Sequence, residues 1–453
     1  MHRTLLPLLA ASTALSTALA QEPAPAPAPA TFKPIAGPIE LKDGDTLVFL
    51  GDSITHQCLY TQYVEDYFYT RMPKARIHFH NAGVGGDRAS NALARFDDDV
   101  ASFKPKYVTI LLGMNDGGYK GYDQPTFDTY QKDMVTVLDK IAALGAIAVP
   151  MTPTMHDARA ARVSNHTLEP RDTYYNGVLA LYGAWLREQA QVRGLGFVDM
   201  WGPLNRLSLE QRKKEPNWTM IKDAVHPGPI GQTVMAEAII DDMVAHPAIS
   251  TVTLSQDQGK LSVRATHGTI GDAHRTEKGV SFNFAAESLP WVLPPDAAEG
   301  IKLTHLGHRF STEKLTVQDL APGKYDLKID GQTVGTYDEG QLATGIELEE
   351  NDKTPQYQQA LKVAMLNKER NDKAMHPLRD QWAALKTKRN DLNKAQQENS
   401  ANLEEKKAAF DAWLPNFQTT VEGLKTKVKE YEEQIYQANQ PQAHQYEIAP
   451  AQG

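Results

Sequence analysis

The chain has 453 residues, 41% of them hydrophobic and 23% charged, which is the balance of an ordinary globular protein and excludes wholesale disorder or a collagen-like repeat. That length is enough for two or three domains. Its 56 acidic and 47 basic side chains give a formal charge of −9, which argues against a phosphate-binding surface and so against nucleic acid as a partner.

Residues 1–20 read as a signal peptide. His2 and Arg3 make a short basic start, an apolar run begins at Leu5, and Ala18-Leu19-Ala20 is a small-x-small cleavage pattern ahead of Gln21. A lipoprotein would need a cysteine after the cut. The expectation is therefore a periplasmic or secreted protein with no transmembrane segment, since no later apolar run reaches the roughly 18 residues of a spanning helix. The one cysteine, Cys58, can form no internal disulfide and no cysteine-rich zinc or iron–sulfur centre.

Residues 21–37, with the run EPAPAPAPA, read as an extended linker. Over 38–249, short β-branched runs at 47–50, 76–80, 107–112, 146–151 and 196–199 alternate with stretches of helical spacing. This predicts a parallel sheet covered on both faces. The last of these helices, over 229–245, carries Met235, Ala238, Ile239 and Met243 on one stripe. Over 250–350 the period changes to two, and Asp330-Gly331 is a hairpin signal between 325–329 and 333–337; a small antiparallel β domain is predicted. Residues 351–438 are poor in glycine and rich in charges of both signs. They predict a helical hairpin broken near Asn399-Ser400, kinked or interrupted at Pro377 and Pro415, and resting on another part of the chain with no chemistry of its own. Residues 439–453 are expected to be a disordered tail.

Four segments carry the chemistry. Gly51-Asp52-Ser53 follows the first strand and starts a helix, at the sheet edge where open α/β proteins hold ligands. Alone it is also an ordinary turn with an N-cap. After the next strand comes Asn81-Ala82-Gly83-Val84-Gly85-Gly86-Asp87, whose glycines permit close approach of backbone N–H groups. Gly113-Met114-Asn115-Asp116 follows the third strand and offers an amide to developing negative charge. In Asp223-Ala224-Val225-His226-Pro227 an acid and an imidazole three residues apart can lie side by side. Other polar residues read as structural. His56 is a pocket-lining or helix-surface residue, Asp52 and Asp116 hold loops, and Asp199 ends a strand at a turn. His78 and His80 share one strand face without acids nearby in sequence. Trp218 is either a sugar platform or an ordinary buried tryptophan.

In this order, the four segments resemble the sequence blocks of the SGNH (GDSL-type) hydrolases over about residues 42–246. One departure is Gly-Asp-Ser-Ile, where many members have leucine at the fourth position. The resemblance implies a flavodoxin-like three-layer α/β/α fold with a parallel sheet, followed here by the small β domain and the hairpin. It implies that Ser53 is the nucleophile, His226 the general base and then acid, and Asp223 the residue that orients His226. The oxyanion hole would be the N–H groups of Ser53 and Gly86 and the amide of Asn115. No metal and no cofactor are implied. The reaction would be hydrolysis of carboxylic esters through an acyl-enzyme.

The loops at 117–126 and 153–175 are rich in Tyr, Asn, Asp, His and Arg and poor in large aliphatics, unlike an apolar acyl groove. Similar exported SGNH proteins with an appended β domain and helical tail are associated with carbohydrate degradation. Together these predict a small-acyl ester substrate, an O-acetyl group on a polysaccharide or glycan. The alternatives are a lysophospholipase or general short-chain acylhydrolase and, in another class, a non-catalytic glycan-binding protein.

Overall fold

The apolar runs of the first half become parallel strands in a computed structural model that describes residues 32–164, 170–258, 260–276 and 279–451. The predicted signal peptide and residues 21–31 of the linker lie outside the described residues, as does 165–169 of the polar loop. In chain order come β1 (Thr46–Gly51), α1 (Ser53–His56), α2 (Leu59–Arg71), β2 (His78–Gly83), α3 (Ala89–Ala94), α4 (Phe96–Asp99) and β3 (Tyr107–Leu111). They are followed by α5 (Gln124–Ala143), β4 (Ile147–Pro150), α6 (Ala158–Ser164), α7 (Pro170–Arg193), α8 (Trp201–Arg212) and α9 (Pro229–Met243).

The strands lie in the order β2-β1-β3-β4, all parallel. The run at 196–199 adds only a single parallel bridge, Met151 to Val198, at the outer edge. From β1 the chain crosses to β2 on one side, and then from β2 past β1 to β3 on the other. Right-handed crossovers therefore put α2 on one face and α3 and α5 on the opposite face, with α9 packed beside α2. Leu47, Val48, Phe49 and Leu50 have no exposed surface, as a strand covered on both faces requires. The sequence order reverses at β1, so the carboxyl ends of β1, β2 and β3 frame a crevice suited to a ligand.

The second half is more interleaved than its sequence suggests. It contains β5 (Ser250–Asp257), β6 (Lys260–Thr266), β7 (Gly268–Arg275), β8 (Val280–Ala286), α10 (Ala298–Thr304), α11 (Leu306–Phe310) and β9 (Glu313–Val317). Then come β10 (Lys324–Ile329), β11 (Gln332–Asp338), α12 (Glu339–Thr344), β12 (Ile346–Glu347), α13 (Pro355–Arg370), α14 (His376–Gln397), α15 (Leu403–Ala438) and β13 (Ala443–Pro450). Two sheets, β12-β9-β5-β6 and β11-β10-β13-β8-β7, share one apolar core that includes Leu254, Phe282, Leu315, Leu327 and Ile448. The first of these sheets is mixed, because β5 and β9 run parallel. The segment between β8 and β9 leaves the sheets and docks on the α/β layer. Trp291, 2% exposed, packs on Tyr67 and Phe310 and donates its indole N–H to the Tyr63 carbonyl at 2.9 Å.

The expected disordered tail is corrected by the structure. Residues 443–450 form β13, hydrogen-bonded between β10 and β8 in the middle of the five-stranded sheet. Tyr446 and Ile448 point into the core while Glu447 between them stays partly exposed, a period-two pattern too short to stand out beside the surrounding Gln, Ala and Pro.

The hairpin also differs from expectation in detail. A π-helical stretch at Asn371–Met375 joins α13 to α14, and Pro377 sits in the first turn of α14, where its missing N–H costs nothing. Pro415 lies inside α15, which runs through it. The break falls at 398–402, with Asn402 flanking α15. Among the described residues no helix is long and apolar enough to cross a membrane.

Candidate active site

β1 ends at Gly51, and Asp52 caps the short helix α1 by accepting the Ile54 N–H on Oδ1 at 2.9 Å. Ser53 is thus the first helical residue, at the carboxyl edge of the sheet, with its N–H outside the intrahelical ladder. Two nearby glycines are required by crowding. A Cβ on Gly51 would fall 2.0 Å from Thr55 Oγ1, and one on Gly83 2.4 Å from the His56 nitrogen. Gly83 therefore serves the packing of α1 on β2, while Gly86, at φ +67°, needs the left-handed freedom of glycine.

Ser53 and His226 are 173 residues apart, yet Ser53 Oγ lies 2.7 Å from His226 Nε2. His226 Nδ1 lies 2.6 Å from Asp223 Oδ2, and Asp223 Oδ1 accepts the N–H groups of Val225 at 3.0 Å and His226 at 2.8 Å. This tight turn forces Ala224 to φ +72°, a left-handed conformation that its bonded neighbours hold, including the Asp157 N–H on its carbonyl at 2.9 Å. Burial would raise the Asp223 carboxyl, but the hydrogen bonds from His226 and Val225 outweigh it and hold it below its ordinary range. An ionised Asp223 fixes the imidazole proton on Nδ1, leaving the Nε2 lone pair facing the Ser53 hydroxyl. Such an array can take up a serine proton and return it.

Asn115 stands across the crevice. Its Nδ2 donates to the Asp87 carbonyl at 3.0 Å and, over a longer 3.3 Å, to Asp52 Oδ2, and its Oδ1 accepts the Tyr119 hydroxyl at 3.0 Å. The Tyr175 hydroxyl donates to the Met114 carbonyl and fixes the same loop. Asp116 accepts the Ala89 N–H at 2.9 Å, tying the third block to the second. Burial, with Asp116 and Asp87 nearby, pushes the Asp52 carboxyl up to about 7 against the pull of the Ile54 N–H. Burial alone takes Asp116 to about 6.

The other candidates have structural partners. His80 is buried, stacks on Phe103 and pairs with Asp99 at 3.0 Å, while His78 pairs with Glu432 of α15 at 2.9 Å. Asp199 Oδ1 accepts the Gly202 N–H at 2.9 Å and holds a turn. His56 accepts the Gly85 N–H on Nδ1 and meets Asp380 through Nε2, each at 3.2 Å. His56, His376 and Asp380 also stand close enough to hold a metal ion, with His56 Nδ1 taken by the Gly85 N–H and its Nε2 facing Asp380.

Two residues that sequence reasoning passed over hold the second block. Arg95 Nε donates to Asp87 at 2.8 Å, and Arg95 also reaches the carbonyls of Ala82 and Gly51 at 2.7 and 3.2 Å. Lys386, from α14, donates to the Gly85 carbonyl at 2.8 Å. No local spacing reveals Lys386, which is 301 residues from its partner. Beside His226 opens a cleft of about 570 Å³ lined by Gln57, Trp218, Lys222, Asp223, Asp296 and Glu299. Trp218, only partly buried, forms part of its wall.

Residues 49–234 match the GDSL-like lipase/acylhydrolase family. An acetylxylan esterase of Geobacillus stearothermophilus is 23% identical over 228 residues, covering 45% of this chain and 96% of that protein. An arylesterase of Vibrio mimicus is 26% identical over 208 residues, again 45% of this chain and 90% of that protein. Among solved structures, a gut microbial diltiazem-metabolizing enzyme superposes with a TM-score of 0.77 at 26% identity, over 92% of this chain and all of that one. That similarity extends through the β sheets and the hairpin.

Proposed function

We propose that this chain, whose residues 49–234 match the GDSL-like lipase/acylhydrolase family, is a carboxylic ester hydrolase in which Ser53, His226 and Asp223 form the catalytic triad, and that it removes O-acetyl groups from a polysaccharide or glycan. The contact of Ser53 Oγ with His226 Nε2 at 2.7 Å carries the assignment. Ser53 Oγ attacks the ester carbonyl as His226 takes its proton. The oxyanion of the tetrahedral intermediate is held by the N–H groups of Ser53 and Gly86 and by the Asn115 amide, which exchanges its longer bond to Asp52 for the substrate oxygen. His226 then protonates the departing sugar oxygen. Water, deprotonated by His226, attacks the acetyl-Ser53 carbonyl, and acetate leaves as Ser53 recovers its proton.

The substrate class is supported by the cleft beside His226, where Trp218 stands among Gln57, Lys222, Asp296 and Glu299, with Met220, Ile230 and prolines completing the wall. Such a mixed wall, an aromatic side chain among hydrogen-bonding and charged groups, suits a hydroxyl-rich ring. The acetylxylan esterase relative is consistent with this reading. The arylesterase relative favours a second one, general hydrolysis of short-chain esters. The first 20 residues support export, so the working compartment would be the periplasm or the medium.

The test is a panel of acetylated xylan and other acetylated glycans beside matched nitrophenyl esters of rising chain length. Acetate release should be fastest from glycan, and kcat/KM on the small esters should fall from acetyl to hexanoyl. Each unburied methylene forgoes up to about 0.8 kcal/mol. Preference for octanoyl would overturn the substrate class, and a fully active Ser53→Ala variant would overturn the triad.

A further inference from the structure

We propose that the C-terminal hairpin is part of the catalytic machinery, and that Lys386 of α14 is a positioning residue that sets the direction of the Gly86 N–H. The proposal rests on the reading above that this N–H is an oxyanion donor. Residues 84–87 form a β-turn, closed by the Asp87 N–H on the Val84 carbonyl at 3.1 Å. Of its two central residues only Gly86 has positive φ, the type II arrangement. Type I and type II turns differ mainly by rotation of the central peptide, by about 150° in one flanking dihedral and about 170° in the other. Here that peptide joins Gly85 to Gly86, and two glycines leave both states sterically open. A flip would turn the Gly86 N–H away and carry the Gly85 carbonyl to the opposite side.

The carbonyl and N–H of a trans peptide point in opposite directions, so fixing one fixes the other. Lys386 Nζ donates to the Gly85 carbonyl at 2.8 Å and forms an ion pair with the buried Asp87 carboxylate at 2.8 Å. Asp87 is itself held by Arg95 at 2.8 Å, so the ammonium is anchored to a rigid point. The same helix secures the other side of Gly85. Its N–H donates to His56 Nδ1, and His56 Nε2 meets Asp380, each at 3.2 Å. Two residues of α14, Lys386 directly and Asp380 through His56, thus pin the peptide bonds on both sides of Gly85. A cation on the carbonyl also polarises the amide and strengthens its N–H as a donor.

The test compares kcat and KM on a nitrophenyl acetate for the full-length protein and its variants. Lys386→Met should lower kcat by about 10–100-fold with KM changed by less than about twofold, because the misdirected N–H acts on charge present in the transition state. Lys386→Arg, which keeps a cationic donor, should recover most of the loss. Lys388→Met on the same helix should leave kcat unchanged. Where Lys386→Met yields little folded protein, Lys386→Gln, one bond too short to reach Gly85, serves the same comparison. Wild-type kcat in Lys386→Met or Lys386→Gln, or a rise in KM alone, would overturn the proposal. Ser53→Ala keeps the two readings apart. Loss of turnover in Ser53→Ala together with normal kcat in Lys386→Met overturns only the positioning role, whereas turnover in Ser53→Ala overturns the triad beneath it.

Discussion

A serine hydroxyl is a weak nucleophile at neutral pH, so the role proposed for Ser53 depends on the three short segments that meet it at one sheet edge. Asn115 is the residue whose proposed role is least visible from position alone, because its amide is engaged with Asp87 and Asp52. Replacing it by Ala should lower kcat by about 10²–10³, roughly 3–4 kcal/mol, with KM nearly unchanged. A rise in KM at constant kcat would make it a substrate contact instead. Asp52 gives a second residue-scale prediction. Its carboxyl titrates near 7 in the folded protein against 3.8 in an open chain, so between these values the folded state holds a proton that the unfolded state has released. The stability this supplies is complete below pH 4 and is lost as pH rises through 7. Asn cannot titrate. Urea unfolding at pH 4, 5.5 and 7 should therefore show the advantage of wild type over Asp52→Asn shrinking with pH, by an amount on the order of a few kcal/mol. Parallel curves would contradict the shift. The sequence announced Asp52 as a loop-holding residue but not its altered acidity, which arises from burial beside Asp116 and Asp87, carboxylates on two other strands' loops.

Helix α2 shows what local pattern hides at the scale of an element. Every residue from Tyr60 to Thr70 is buried, including Gln62, Glu65 and Asp66, so no polar face marks a solvent side. The hairpin covers it. Arg370 of α13, with no exposed surface, pairs with Glu65 and Glu432 at 3.1 Å each and donates to the Phe79 carbonyl at 2.7 Å. Asn367 and Asn371 bond Asp66 and Glu65 at 2.8 and 2.9 Å. In the sequence these charges look like a solvated helix surface; the partners that bury them lie some 300 residues away. Arg370→Met should cost about 3–5 kcal/mol by removing the buried cation between two buried carboxylates, leaving Glu65 to the Asn371 amide and Glu432 to His78, read as a lower denaturant midpoint. Adding Glu65→Gln to that variant should return part of the loss, since it removes one of the stranded charges.

For the whole molecule, the chain order of the parts misrepresents how they depend on each other. β13, the last described strand, sits between β10 and β8, and the Trp291 segment fills the α/β layer from within the β half. Deleting residues 439–453 should therefore remove the middle of a sheet and yield an aggregating or partly unfolded protein. Truncation after Ile249 should do worse, exposing α2 and its buried acids. Circular dichroism and size-exclusion chromatography check both. A soluble, monomeric fragment ending at 249 with full acetylesterase activity would show that the appended parts are dispensable to the hydrolase.

What the sequence determined by itself was whatever rests on neighbours along the chain. Period-two and helical spacing announced the parallel sheet and the β strands, and short motifs after successive strands named Ser53, Gly86, Asn115, Asp223 and His226. Strand direction in an α/β sheet then forces the first three motifs to one edge, and the structure brings Asp223 and His226, from the loop between α8 and α9, within hydrogen-bond reach of one another and His226 within reach of Ser53. Only the tertiary structure decided the pairings between distant segments: β13 entering the sheet, Arg370 and Arg379 buried against Glu65 and Asp99, and Lys386 on the Gly85 carbonyl. A charged or short apolar run has the same local signature whether it meets water or a partner, and which it meets is set by packing over hundreds of residues.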